Sequence, residues 1–504
     1  MKVLLANPSY KQSISQRYER YYIRSGSRWP HSGVKIKGQI PHYLPFPFFL
    51  AYAAALLKES AFDIYVIDAV ALDISEAAFL GRIQKIKPDV VFYEVVTPTF
   101  NYDLILARKI KKIIGSTIVV AGTDATVFAS QIMNKNTAVD FILKGEYEQS
   151  LLELLKAIRV GDVNFPSGVV FRSDRKIIDN GYSCPIDSLD KLPYPLRDIF
   201  PSNDSSNPAV YWDGFCQKCP AIQMQSSRGC FYNCYFCLWK NVLYRGNEFR
   251  AFSPSRVVDE MQDLISKYKV QEIYFDDDDF TADRGRIFNI CQEILERNVD
   301  IKWSCMANIV NLTETVIKTM AKSGCIGIKF GIESGSKDIL KKIGKPLNLQ
   351  GVTEIIKFCR KYKIKTHASF TIGHWEETEK DIEKTVRLTE ILDVDSIQVS
   401  VVIPYPGTGF YAIAKKKGLI KDIDCSFYEG KNTKTAYCSL LNINSLNGIR
   451  KRLISVWFLK RLLSPVWYIK HSWIILRTIT GLGIVFFFKQ CRDIIIDEYK
   501  SKTI

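Results

Sequence analysis

Two stretches of this chain alternate short apolar runs with segments of helical period, and that alternation limits the fold more than any other feature. In the first 160 residues "KVLLAN", "FDIYVIDA", "DVVFYEVV", "TIVVAG" and "VDFILKG" read as strands. Between and after them "FFLAYAAALLKES", "EAAFLGRIQKIK", "YDLILARKIKKII" and "YEQSLLELLKAI" read as helices. Strands separated by helices of this length predict an α/β, doubly wound, flavodoxin-like parallel sheet. In such a sheet a ligand sits outside the C-terminal strand ends. The residues there are Asn7, Ser9 and Tyr10, then Asp68, then Val96, Thr97 and Thr99, then Gly122, Thr123 and Asp124, and last Gly145 and Glu146. They are mostly small, polar or glycine, as a cradle for a bulky polar ligand requires.

A second series runs from about 220 to 440. Its strand signals are "AIQMQSS", "EIYFDD", "IKWSCM", "CIGIKFGI", "IKTHASFTI" and "SIQVSVVI", with helices such as "SPSRVVDEMQDLISKY" between them. Six strand–helix units predict a partial (β/α)6 barrel, with its active face at the C-terminal strand ends. Residues 161–219 read as a linker that includes the hairpin "GVVFRSDRKIIDNG" and the proline-rich "LDKLPYPLRDIFP". Two domains, a linker and a tail suit a length of 504 residues.

The tail, 441–504, changes character. From residue 445 it has eleven Lys/Arg against three acidic residues, interleaved with Trp457, Phe458, Trp467, Tyr468, Trp473 and Phe486 to Phe488. The apolar run "WIILRTITGLGIVFFF" includes Arg477 and falls short of the roughly 20 residues a spanning helix needs. The readings are peripheral contact with a membrane surface or a helix packed on the barrel. The formal charge of +16 favours anionic partners, but without a recognition motif it does not make a nucleic-acid binder. The opening "MKVLLANPSY" does not read as a signal peptide. A cytoplasmic, reducing location is expected, possible membrane contact being at the inner face.

Of thirteen cysteines the first is Cys184. Cys230, Cys234 and Cys237 form "CFYNCYFC" directly after the first barrel strand. A structural zinc site takes four ligands and a disulfide takes two, so three on one loop is an unusual number. Three thiolates suit three irons of a [4Fe–4S] cluster and leave the fourth iron open, whereas clusters that only pass electrons use four cysteines. Two other readings remain at this point: zinc shared with Cys216 and Cys219 of "CQKC", or cysteines packed in a core.

The motif C-x3-C-x-aromatic-C, with Phe236 before the third cysteine, resembles the radical S-adenosylmethionine (SAM) superfamily. The resemblance covers roughly 220–430 and implies that the open iron chelates SAM, whose reductive cleavage gives a radical that abstracts hydrogen. "EIYFDDDDFT" resembles the acidic turn that handles the SAM amino group, making Asp277 and Asp278 candidates; four aspartates also suit a solvated loop. "KFGIESGSKDILKKIGK" resembles the fourth-strand motif and implies SAM contacts from Glu333 and Ser334. "SFTIGHWEET" resembles the fifth-strand motif and implies them from Ile372 and Gly373, the glycine letting backbone approach adenine. "ANPSY", "PFFLAYAAALLKES", "VVAGTDAT" and "VDFILKGEYEQSLLELL" resemble the cobalamin-binding domain that precedes the barrel in many of these enzymes. The chain lacks D-x-H-x-x-G, so the resemblance implies cobalt without a protein histidine below it. The alternative is a vestigial domain that binds nothing.

Taken together, the resemblance implies a cobalamin-dependent radical SAM methyltransferase acting on an unactivated carbon of a small-molecule or lipid-like substrate. It also implies an external electron donor of flavodoxin or ferredoxin type. Relatives that close rings or oxidise keep the same cofactors and are the alternative outcome. A methylthiotransferase would carry second-cluster cysteines in the first domain, and residues 1–183 have none. A non-catalytic binding protein is the reading from another class. No catalytic side chain is assigned from sequence.

Overall fold

A computed structural model describes residues 1–39, 41, 43–174, 176–201, 210–246, 249–345, 347–420 and 443–462. The first domain holds β1 (Lys2–Asn7), β2 (Lys11–Ser13), β3 (Tyr18–Ile23), β4 (His31–Ile36), β5 (Asp63–Asp68), β6 (Val90–Glu94), β7 (Thr117–Ala121), β8 (Phe141–Leu143), β9 (Val169–Ser173) and β10 (Lys176–Asp179). Its helices are α1 (Phe48–Glu59), α2 (Glu76–Ile86), α3 (Phe100–Ile114), α4 (Thr123–Val127), α5 (Ala129–Lys135) and α6 (Glu148–Val160). A seven-stranded sheet runs β10-β9-β8-β7-β6-β1-β5, with β8 to β5 parallel and β9 and β10 antiparallel.

The apolar run in β1 is continuous because both faces of the sheet are covered. Val3 and Leu5 face the core that contains α1 and α6, and Leu4 and Ala6 face the one built on α2 and α3. Each fully buried leucine contributes about 1.5–3 kcal/mol by leaving water. Helix ends follow local chemistry. Ser75 caps α2 by accepting from Ala78 N, and Gly115 and Gly161 close α3 and α6 with φ of 69° and 73°.

Two features differ from the sequence expectation. The hairpin assigned to the 161–219 linker is β9–β10, which extends the first sheet through β8. Residues 11–36, read as no element, form a separate antiparallel sheet β2-β3-β4 between β1 and α1. Its strands "KQS", "YERYYI" and "HSGVKI" are short and largely polar, so they lack the apolar run that marks a buried strand.

The second domain holds β11 (Ala221–Met224), β12 (Ser227–Arg228), β13 (Arg250–Ala251), β14 (Glu272–Phe275), β15 (Lys302–Ala307), β16 (Cys325–Glu333), β17 (Lys365–Ile372) and β18 (Ser396–Val401). Its helices are α7 (Leu238–Val242), α8 (Pro254–Tyr268), α9 (Arg284–Glu296), α10 (Glu314–Lys322), α11 (Lys337–Lys342), α12 (Leu349–Lys361), α13 (Glu379–Ile391), α14 (Gly409–Lys416) and α15 (Ile443–Leu462). The order β11-β14-β15-β16-β17-β18 is parallel throughout, as a partial six-unit barrel requires. The described start of the tail, α15, packs on α13 and β18 with Leu446 and Leu453 fully buried. That matches the packing alternative for this part. No helix among the described residues is long and apolar enough to cross a membrane. Trp467, Tyr468 and the run from Trp473 to Phe488 lie outside the described residues.

Candidate active site at the meeting of two sheets

The chain leaves β11, pairs briefly as β12 with β13, turns at Gly229 with φ of 86°, and enters the cysteine loop. Backbone bonds fix this loop. Cys237 N donates to Cys234 O at 3.0 Å, Tyr235 N to Ile343 O at 3.1 Å, and Phe410 N to Tyr235 O at 3.0 Å. Gly344 has φ of 80°, and a Cβ there would lie 2.4 Å from Asn233 O, so the end of α11 presses directly on the loop.

All three thiols are free and partly buried. Burial pushes Cys230 up to about 12 and raises Cys234 and Cys237, and Cys234 adds to the shifts of the other two. Neutral thiols in a shared low-dielectric space need a bound cation to ionise. Among the described residues no three side chains converge tightly enough to grip one metal ion. Cys216 is buried against Asp213 and Glu272, which along with burial raise its thiol, and Cys219 is exposed.

Two arginine clamps grip the residues just before Cys230. Arg228 has a fully buried side chain that pairs with Glu148 at 2.5 Å and Glu146 at 3.4 Å, both from the first domain. Arg250 also pairs with Glu146, at 3.1 Å from its Nη1. In the opposite direction, Arg28 of the first domain reaches the acidic turn. Its Nε donates to Asp278 Oδ1 at 2.8 Å and its Nη1 to Asp276 Oδ1 at 2.7 Å. Asp278 Oδ2 in turn accepts from Gly229 N at 2.9 Å. The first domain is thereby tied to residues 228 and 229 from both sides.

Three expected site residues take a different place. Asp277 is fully buried and accepts from Ser226 N, Ser226 Oγ and Ser227 Oγ, each at 2.6 Å, so it holds the loop instead of presenting a carboxylate to SAM. Asp278 is engaged by Arg28 and Gly229. Glu146 is engaged by Arg228 and Arg250, so neither of its oxygens is free for cobalamin. The next acid is Asp279, which nothing in the sequence distinguishes from its neighbours. Its Oδ1 accepts from Thr281 N, Thr281 Oγ1 and Asn308 N, while Oδ2 is buried and unpartnered. Burial pushes it up to about 6, and its charge acts on Cys230. Its open acceptor lies beside the cysteine loop.

The fourth and fifth strand ends meet in a hydrogen-bonded chain. Glu333, held at φ of 68°, pairs with the buried Lys345 at 3.0 Å. Thr371 Oγ1 donates to Glu333 Oε2 at 3.3 Å and lies 2.8 Å from His374 Nε2. Tyr235 Oη lies 3.1 Å from His374 Nδ1. With the threonine donating to the carboxylate, the network assigns the proton to Nε2 and makes Nδ1 the acceptor from Tyr235. Burial pushes His374 down to about 3, so the ring is neutral. Tyr235 stands between two of the three cysteines, so this chain ties the loop to β16 and β17. Phe236 packs between Trp29 and His374, at 5.8 and 5.6 Å between centroids.

Ser334 and Gly373 also depart from expectation. Ser334 is fully buried against α13, with Thr385 Oγ1 at 3.3 Å. The space a Cβ would occupy at Gly373 is bounded by Leu446 and Val401 at 3.2 and 3.4 Å, so its missing side chain serves α15 and β18. Ile372 is fully buried beside it.

Polar residues gather at the strand ends of the first sheet. Asn7 Nδ2 donates to Asp68 at 3.0 Å, while Asn7 Oδ1 and Thr123 Oγ1 are buried without partners. Thr97 donates to Asp124 at 2.7 Å, and burial pushes Asp124 up to about 7. Thr99 bonds Asp103 at 2.9 Å and Arg24, Ser9 O accepts from Tyr102, and Tyr10 stacks between Tyr22 and Tyr102. Val96 is buried. Two orphaned polar atoms, at the ends of β1 and β7 on either side of β6, fit a polar ligand. A Cβ at Gly122 or Gly145 would meet Val95 O or Ser183 Oγ at 2.9 Å, so protein packing already accounts for both glycines. His31, the histidine on the inserted sheet, bonds Trp29 O at 2.7 Å and stacks on Tyr43.

Comparison with known proteins agrees with this architecture. The Radical SAM superfamily profile matches residues 224–389, and the B12 binding domain profile matches 42–155. The chain is similar to a protein of Pyrococcus horikoshii described as an uncharacterized methyltransferase, 29% identical over 446 residues, covering 88% of this chain and 94% of that one. It is similar to the anaerobic magnesium-protoporphyrin IX monomethyl ester cyclase of Rubrivivax gelatinosus, 26% identical over 392 residues, covering 75% and 67%. In fold it is similar to the radical SAM methyltransferase TsrM of Kitasatospora setae, solved with cobalamin and a [4Fe–4S] cluster. There the TM-score is 0.62 and the identity 16%, over 83% of this chain and 75% of that one. The chain thus joins a B12 binding domain, clamped by buried arginines, to a three-cysteine radical SAM barrel, and is similar over most of its length to a relative named as a methyltransferase.

Proposed function

We propose that this chain is a cobalamin-dependent C-methyltransferase for a small-molecule or lipid-like substrate. The observation that carries it is the pair of reciprocal arginine clamps, which hold the first sheet's polar strand ends against residues 228 and 229. Cys230, Cys234 and Cys237 would hold the cluster, Asp279 a polar group of SAM, and Asn7, Ser9, Thr97 and Thr123 the corrinoid. When bound, these groups supply one-electron cleavage of SAM, hydrogen abstraction and a transferable methyl group. The chain itself supplies position and dryness. Its buried arginines fix the spacing, the Tyr235–His374–Thr371–Glu333 chain holds the loop, and Trp29 and Phe236 exclude water beside it.

The similarity to a cyclase favours one second reading, in which the same machinery closes a ring or oxidises. Mass spectrometry after turnover with SAM labelled at its methyl group separates them. The account expects the labelled methyl in the product, and a product lighter by two hydrogens, without label, supports the second reading. The one-electron donor is proposed to be a flavodoxin- or ferredoxin-type protein. Contact with a membrane surface is a proposal for the tail alone.

A further inference from the structure

The turn at residues 24–29, within the inserted sheet, has one foot in each domain. Arg24 is fully buried and donates to Thr99 and Asp103 and, at 2.7 Å, to Glu94 O. All of its hydrogen bonds go to the first domain. Four residues later Arg28 donates only to the barrel, to Asp276 and Asp278, and its guanidinium lies 5.3 Å over the Trp239 ring. Trp29 then packs on Phe236 and Tyr405, and Tyr405 Oη donates to Pro30 O at 2.9 Å. The turn between the feet is stiff. Ser27 N bonds Arg24 O at 3.3 Å and Trp29 N bonds Ser27 Oγ at 3.2 Å. Gly26 has φ of 84°, and a Cβ there would lie 2.4 Å from Phe46 O. Two planar guanidinium forks on one short, glycine-locked turn make a spacer of fixed length.

We infer that the 24–29 turn is a positioning device that sets the separation and register of the corrinoid-side strand ends and the cysteine loop. Arg24 and Arg28 are its positioning residues. The inference rests on the proposed function for its consequence in turnover, but not for its structural content.

In the corrinoid-free protein, each foot is read in the opposite domain by amide hydrogen exchange. Arg28→Lys keeps the charge and loses the fork, and it is expected to raise exchange over Val96–Asp103, which Arg28 does not touch. Arg24→Lys is expected to raise exchange over Asp276–Asp279, which Arg24 does not touch. Glu19→Gln, on the same inserted sheet, should do neither. Changes confined to the substituted foot's own domain overturn the inference. In the loaded enzyme, Arg28→Lys is expected to lower methylated product by a larger factor than 5′-deoxyadenosine. Methylated product should fall roughly tenfold or more, because small misplacements of reacting groups are costly. The magnetic interaction between cob(II)alamin and the reduced cluster should change with it. Product and 5′-deoxyadenosine falling in parallel with loss of iron would make Arg28 a support of the cysteine loop and overturn the inference. A wild-type protein that retains no corrinoid would overturn the proposed function instead, leaving the exchange experiment to decide the spacer.

Discussion

Arg228 carries its charge where there is no water, and Glu148 and Glu146 are what make that tolerable. Arg228→Met strands the buried Glu148 carboxylate, while Glu146 keeps Arg250, so it is expected to cost about 3–5 kcal/mol in urea unfolding of the apoprotein. The double variant Arg228→Met/Glu148→Gln should recover much of that, since neutral partners of similar size need no counter-charge. Glu377 is the opposite case, a buried carboxyl with no counter-ion. Burial pushes it up to about 7, against backbone N–H bonds from Gly373 and His374. Its folded pKa lies above the unfolded one, so the native state binds the extra proton. Stability is therefore full below about pH 4.5 and falls as pH rises to about 7. Glu377→Gln should remove that slope, worth on the order of 3 kcal/mol. Melts at pH 5 and pH 8 should then differ less in the variant than in the wild type; equal differences would contradict this assignment.

Among the elements, α11 is the one whose placement most directly governs the cysteine loop. Gly344→Ala puts a Cβ against Asn233 O and strains a positive φ, a cost of about 1–3 kcal/mol. The expected outcome is a folded protein with a normal circular dichroism spectrum and reduced iron after reconstitution. Unchanged iron content would mean that the loop does not depend on α11. Most elements were legible in the sequence because their apolar runs are long and clearly periodic, as in β1, β6 and α3. The inserted sheet β2-β3-β4 was not, since its stability comes from tertiary contacts that single-strand periodicity does not record. The β9–β10 hairpin was visible as a hairpin, but its pairing with β8 is a non-local fact.

At the scale of the whole molecule the central feature is the junction. Cys230, Cys234 and Cys237 were readable because ligand chemistry fixes both residue type and spacing. Arg24, Arg28, Arg228 and His374 were not, because an arginine or a histidine becomes informative only when its partner, often more than fifty residues away, is known. The same reason explains Asp277, Asp278 and Glu146. The acidic run and the strand-end position were plain in the sequence, whereas the arginines and backbone amides that occupy these carboxylates were not. Asp279, the carboxylate left with an open oxygen, differs from its neighbours only in what surrounds it.

The claim that these two sheets form one two-cofactor site is tested most directly by anaerobic reconstitution with iron, sulfide and hydroxocobalamin, followed by desalting and an absorbance spectrum with metal analysis. The account predicts cluster and corrinoid bands together, in the ratio of one four-iron cluster to one cobalt. It also predicts that Cys234→Ala loses the cluster band and keeps the corrinoid. A cluster band with no retained corrinoid would contradict it.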